Sequence, residues 1–197
     1  MRYALLAGTC LLLLVSTAYA GGTPDTDAES LQWLFEFNGL SQLELDTYAG
    51  GMGLRYFIDD DGLAGRLSVN AAYRTDEEDG DKQTVSLIGG SIIIEKFLNP
   101  ISSVAPYLGI GFGIFYSTDT KPTDEGELKV STTTIEVPAV AGFQWWFTDA
   151  LALGGEYRWA IRYITDKYKL GDYSIGEGQD FATGMYAASV FLSVSLR

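Results

Sequence analysis

Seven charged residues, Glu36, Arg55, Arg66, Glu136, Glu156, Arg158 and Arg162, share one property. Each lies on the small or polar face of a segment that otherwise alternates with apolar residues. Glu95 joins them if Gly89-Gly90 forms a β-bulge that switches the face of its segment. Carboxylates and guanidiniums gathered on one face can pair with each other, hold water or pass ions. They do not supply a nucleophile. The 197-residue chain has no histidine, which removes Ser-His-Asp and Cys-His sites, His-ligated zinc and an imidazole base. No Ser-Lys or paired-carboxylate constellation stands out either, so the expectation is no enzyme, no catalytic residue, no metal set and no cofactor.

Two spacings test whether these charges meet. If Thr148-Asp149-Ala150 is a three-residue turn, Glu136 faces Arg162 across two strands, with Ala139 beside Trp159 and Ile135 beside Tyr163 on the opposite face. A turn centred on Asp60-Asp61 sets Arg55 against Arg66, and two adjoining guanidiniums need carboxylates, which Glu36 and Glu95 can provide from neighbouring strands. Two outcomes stay open: a salt-bridged plug in an interior too narrow for a pore, or an ion pathway gated by exchange of pairs.

The elements that must position these residues are strands. From Leu151, one parity reads Leu151, Leu153, Gly155, Tyr157, Trp159, Ile161 and Tyr163, and the other Ala152, Gly154, Glu156, Arg158, Ala160 and Arg162. Eight such segments are expected, near 31–38, 45–57, 63–74, 83–97, 106–117, 131–147, 151–164 and 181–197. Three connections are short: Ile58 to Gly62, Leu98 to Ala105 and Thr148 to Ala150. Four are longer or more polar: Gly39 to Glu44, Thr75 to Lys82, Thr118 to Val130 and Thr165 to Asp180. An even strand count with alternating short turns and long loops is the plan of an eight-stranded antiparallel up-and-down transmembrane β-barrel, an all-β fold. The polar face is rich in Gly, Ala and Ser (Gly109, Gly111, Gly113, Ser189, Ser193, Ser195), which suits a crowded interior rather than a solvated exterior. Aromatic residues bracket the band. Trp33, Tyr56, Phe97, Trp145 and Phe147 lie toward the short turns, and Phe37, Tyr48, Tyr73, Tyr116, Tyr163 and Phe181 toward the loops.

Residues 1–20 read as an export signal, with Arg2, an apolar run from Ala4 to Thr17 and the small-x-small site Ala18-Tyr19-Ala20; Cys10 lies inside that run. Residues 21–30 read as a flexible lead-in, and 31–197 as the barrel. The formal net charge of −13 disfavours a nucleic-acid partner, which would need a basic surface, and none is expected. Acidic residues gather in Asp76-Glu77-Glu78-Asp79-Gly80-Asp81 and Asp59-Asp60-Asp61-Gly62. Neither has the spacing of a twelve-residue calcium loop, and each reads as a solvated rim or a place where divalent cations bridge to lipopolysaccharide. Gly109-x-Gly111-x-Gly113 lacks the dinucleotide-binding spacing and lies in a strand.

The mature chain resembles the small eight-stranded outer-membrane proteins of the OmpA-barrel and OmpX type. The resemblance rests on Pro106-Tyr107-Leu108-Gly109-Ile110-Gly111-Phe112-Gly113, Trp146-Phe147-Thr148-Asp149-Ala150-Leu151-Ala152-Leu153, Glu156-Tyr157-Arg158, and the closing alternation from Ala188 to Leu196, in that order. It implies a place in the bacterial outer membrane after cleavage near Ala20, contact with outer-membrane lipid and lipopolysaccharide, and insertion by the barrel-assembly machinery. Such barrels usually end in an outward-facing aromatic, where this chain has Leu196-Arg197. Outer-membrane barrel enzymes rely on an active-site histidine, so the resemblance implies a structural or surface-interaction role through external loops. The alternative is a small channel for ions or hydrophobic solutes.

Overall fold

A computed structural model describes residues 29–38, 47–78, 81–98 and 101–196. The export signal, most of the lead-in and the Gly39 to Glu44 connection lie outside them, as do the side chain of Tyr48 and residue Arg197. Eight strands follow in chain order: β1 Leu31–Asn38, β2 Thr47–Phe57, β3 Leu63–Glu78, β4 Asp81–Phe97, β5 Val104–Thr123, β6 Gly126–Trp146, β7 Leu151–Leu170 and β8 Tyr173–Leu196. Each is antiparallel to its neighbour, and β1 pairs with β8 from Leu31↔Leu196 to Asn38↔Ser189, closing the barrel.

Period-two alternation sorts the two faces. Leu67, Val69, Ile88, Ile92, Ile94, Leu108, Ile110, Phe112 and Ile114 point outward and are exposed, while Glu95, Arg66, Ser68 and Gln144 are buried within. An apolar belt outside a polar interior is the reverse of a soluble barrel, and it demands lipid rather than water around it. The expected registers are present: Glu136↔Arg162, Ala139↔Trp159 and Ile135↔Tyr163 between β6 and β7, and Arg55↔Arg66 between β2 and β3. Pro138 has no N–H to give the ladder, and the β5–β6 pairing lapses between Ile110↔Ala139 and Gly113↔Glu136 without a change of register.

Three expectations need correction. The stretches Thr118 to Val130 and Thr165 to Asp180 are not loops: β5 runs to Thr123, β6 starts at Gly126, β7 runs to Leu170 and β8 starts at Tyr173. The antiparallel ladder continues through these extensions, but both of their faces carry polar and charged residues, which hides the alternation. Gly126 (φ 127°) and Gly171 (φ 55°) supply the backbone that the tight turns need, and Gly171 N–H donates to Glu127 C=O at 2.9 Å, tying the two hairpin tips together. Most of Thr75 to Lys82 is likewise strand, pairing from Thr75↔Thr84 to Glu78↔Asp81.

The second correction concerns β4. Its pairing with β3 and β5 is unbroken through Gly89 and Gly90, so no bulge switches its face. Glu95 reaches the interior by simple alternation with Ser91 and Ile93, both buried. In Ile92-Ile93-Ile94 both faces are apolar, and parity there carries no signal. The third correction is Phe97. It shares the parity of Glu95, is only 4% exposed, and lies in the interior rather than in the girdle. The other girdle residues with described side chains face outward: Tyr56, Tyr73, Tyr116 and Tyr163 are exposed, and Trp33, Trp145 and Phe147 are half-buried, with Trp145 and Phe147 in ring contact at 5.8 Å.

Candidate functional site: the charged lumen

Because Arg55 and Arg66 face each other on β2 and β3, their repulsion must be answered from the next strand. Glu95 on β4 does this by bridging both, 2.5 Å from Arg55 Nε and 3.0 Å from Arg66 Nε. Arg66 Nη2 also reaches Glu156 Oε2 at 2.7 Å, and Arg66 Nη1 lies 3.9 Å from Glu36. In a ring of eight strands, β3 and β7 are opposite walls, so the Arg66–Glu156 pair crosses the full lumen. Glu156 continues the chain to Arg158 Nη2 at 3.4 Å, and Arg158 Nη1 lies 3.8 Å from Glu136. Arg162, half-buried, stands opposite Glu136 in the register and is the outermost of the eight.

Glu156 and Glu36 also accept from neutral donors. Tyr107 O–H donates to Glu156 at 2.8 Å, and Ser68 and Asn70 donate to Glu36 at 3.2 and 3.1 Å. Three buried arginines thus meet four buried glutamates, with hydroxyl and amide groups adding hydrogen bonds at Glu36 and Glu156, and this mutual pairing is the condition under which buried charge is tolerated.

Toward the short turns the interior becomes aromatic. Phe57, Phe97, Tyr107, Phe191 and Trp146 are buried there. Phe97 stacks on Tyr107 at 4.9 Å and meets Phe57 at 5.0 Å. The Arg55 guanidinium lies 5.0 Å from the Phe97 and Tyr107 ring centres and 5.6 Å from that of Phe191, so cation–π attraction adds to its ion pair with Glu95. Gln32, fully buried, accepts hydrogen bonds from Gln144 (3.2 Å), Ser193 (3.1 Å) and Arg55 (3.4 Å).

No family model and no curated protein matches the sequence. Among solved structures, a major outer membrane protein from Thermus thermophilus is similar with a TM-score of 0.54 and 13% identity, over 85% of this chain and 98% of that one. The fold is that of an outer-membrane β-barrel. The N-terminal β-barrel domain of Pseudomonas aeruginosa OprF aligns with a TM-score of 0.42 and 15% identity, over 86% of this chain and 98% of that one.

The lumen glycines of this outer-membrane barrel are hollows for its aromatic rings. A Cβ on Gly142 would come within 2.5 Å of the Tyr107 ring, and one on Gly154 would collide with the ring of Phe191. These contacts join β6 to β5 and β7 to β8, letting large side chains fit into a narrow cross-section. Beyond Arg162 the character changes. Gln83 donates to Asp119 at 2.9 Å and Thr132 to Asp166 at 2.5 Å, and these four side chains are only half-buried.

The structure brings together Glu36, Arg55, Arg66, Glu95, Glu136, Glu156 and Arg158 through ion pairs, and leaves Arg162 at the outer edge of the set. Sequence reading missed Tyr107, Gln32, Phe57 and Phe191 as lumen residues. Parity held the signal for all four: Gln32 is in phase with Glu36, Phe57 with Arg55, Tyr107 with Gly109 and Gly111, and Phe191 with Ser189 and Ser193. At the acidic turn, the Asp59 carboxylate accepts from Leu63 N–H at 2.8 Å, and Lys96 donates to the Asp61 carbonyl at 2.8 Å. Among the described residues no three Cys, Asp or Glu side chains assemble a metal site.

Proposed function

We propose that this protein is an exported, integral outer-membrane barrel with no enzymatic activity. Its lumen is sealed by the charge network, and its work is structural or surface interaction through the β3–β4, β5–β6 and β7–β8 hairpins. The observation that carries the sealed reading is the Arg66–Glu156 pair, 2.7 Å long, between opposite walls, above a fully buried aromatic layer. An eight-stranded interior has just the width for side chains to fill it. Its partners are outer-membrane lipid, lipopolysaccharide and the barrel-assembly machinery, with divalent cations drawn to the Asp59–Asp61 turn and the Asp76–Asp81 hairpin.

Planar-bilayer recording of the refolded protein tests the seal, with folding checked first by a heat-dependent gel shift. A silent wild-type barrel is expected, and discrete conductance steps would overturn the reading. The orientation is tested by labelling a Glu125→Cys variant on intact cells with a membrane-impermeant maleimide, since residue 125 is at the β5–β6 tip. One feature favours a channel as the second reading: Arg66 touches three carboxylates and Glu156 two guanidiniums, so pairs can exchange without leaving a charge bare. On that reading the wild-type protein conducts, and Glu136→Gln or Arg162→Gln changes its step size.

A further inference from the structure

Six lysines occur in the whole chain, and three of them share one outward patch on β6 and β7. The registers stack that outer face in four rows across β5 to β8. The first row is Ile114, Ile135, Tyr163 and Phe181, apolar and aromatic, with the last two rings 6.4 Å apart. The second is Tyr116, Thr133, Thr165 and Gln179. The third is Thr118, Ser131, Lys167 and Glu177. The fourth is Thr120, Lys129, Lys169 and Ser174. Moving outward, the surface passes from apolar to hydroxyl to cationic.

Lys129 and Lys169 are direct cross-strand partners on an exposed face, an arrangement that costs stability because like charges there repel. A chain of net charge −13 has acids to spare, yet only Glu177 answers, 3.7 Å from Lys167. No ion pair is formed by Lys129 or Lys169 among the described residues, and Glu127 lies two residues beyond Lys129 on β6. With a rise of about 3.3 Å per residue and a tilt of about 40°, Lys167 and Lys169 stand about 10 and 15 Å above Tyr163 along the axis. Tyr163 and Phe181 mark the apolar edge, and the lysine stems are long enough to bend back toward the headgroup layer.

We propose that Lys129, Lys167 and Lys169, with the hydroxyls of Ser131, Thr118 and Thr120, form a binding site for the phosphate of an outer-leaflet lipid headgroup. The two opposed ammonium groups grip one anionic group between them, and the ligand's charge removes their repulsion. The acyl chains of the same lipid then lie along Ile114, Ile135 and the Tyr163–Phe181 pair. This rests on the reading that the extended hairpins face outward, which the residue-125 labelling decides independently of any lipid measurement.

The test is retention of bis-phosphorylated lipid A by the full-length barrel in detergent micelles, counted by native mass spectrometry. Wild-type protein is expected to retain lipid A in preference to phosphatidylcholine, and to lose it as salt is raised to about 0.5 M. K129Q/K167Q/K169Q should weaken retention about tenfold or more, on the scale of three lysines at an anionic headgroup, while K129R/K167R/K169R keeps it. Retention by the glutamine variant within about twofold of wild type would overturn the site. So would wild-type retention that is indifferent to salt, a result that stands even if the triple variant does not fold.

Discussion

The two halves of the lumen are built on different terms. On the short-turn side, charges are buried and mutually compensated: Arg55, Arg66 and Arg158 lie against Glu95, Glu36, Glu156 and Glu136, on a floor of Phe57, Phe97 and Phe191. On the hairpin side, Asp119 and Asp166 rely on the neutral donors Gln83 and Thr132, in a half-exposed setting where water can share the load. The same strands run through both halves, so backbone pairing is common to them. What differs is whether the chain or the solvent satisfies the charge.

That contrast can be broken most forcefully at Arg66. Replacing it with Met leaves Glu156, Glu95 and Glu36 short of a counter-charge in a dry interior, and about 3–5 kcal/mol of stability should be lost, read as a lower urea midpoint of the gel-shifted form. An equal midpoint would mean that water reaches these carboxylates. Gly154→Ala tests the floor instead of the charges. Its new methyl collides with Phe191, and about 1–3 kcal/mol should be lost in the same urea titration, with the ion pairs untouched. Gln83→Leu probes the hairpin side, where the loss should stay below about 1 kcal/mol because water replaces the amide at Asp119. Equal costs for Arg66→Met and Gln83→Leu would erase the distinction between the two halves.

The sequence revealed the lumen where one face was small and polar and the other apolar. Glu136 and Arg162 were paired from the length of a single turn, and Arg55 and Arg66 from another, because register is fixed once turn and parity are known. It was silent where the two faces matched. Ile92-Ile93-Ile94 is apolar on both, so the inward turn of Glu95 looked as though it needed a bulge, and Phe97 was assigned to the lipid side. From Thr118 to Val130 both faces are polar, and strands there read as loop. Phe191 was hidden for another reason: a ring of that size among lumen serines fits only because Gly154, on the adjoining strand, leaves room for it.

Closure of the barrel between β1 and β8 has a consequence for assembly. β1 finds one partner next in the chain and the other at the far end, Leu31 against Leu196. Every other ladder joins consecutive strands and can form by local zippering, but this seam must bring together the most distant segments of the described chain. Until it does, β1 and β8 each present a bare edge of N–H and C=O groups that neither lipid nor an apolar surface can satisfy. The entropy of loop closure is therefore largest at this seam, which makes it the costliest ladder of the ring to form.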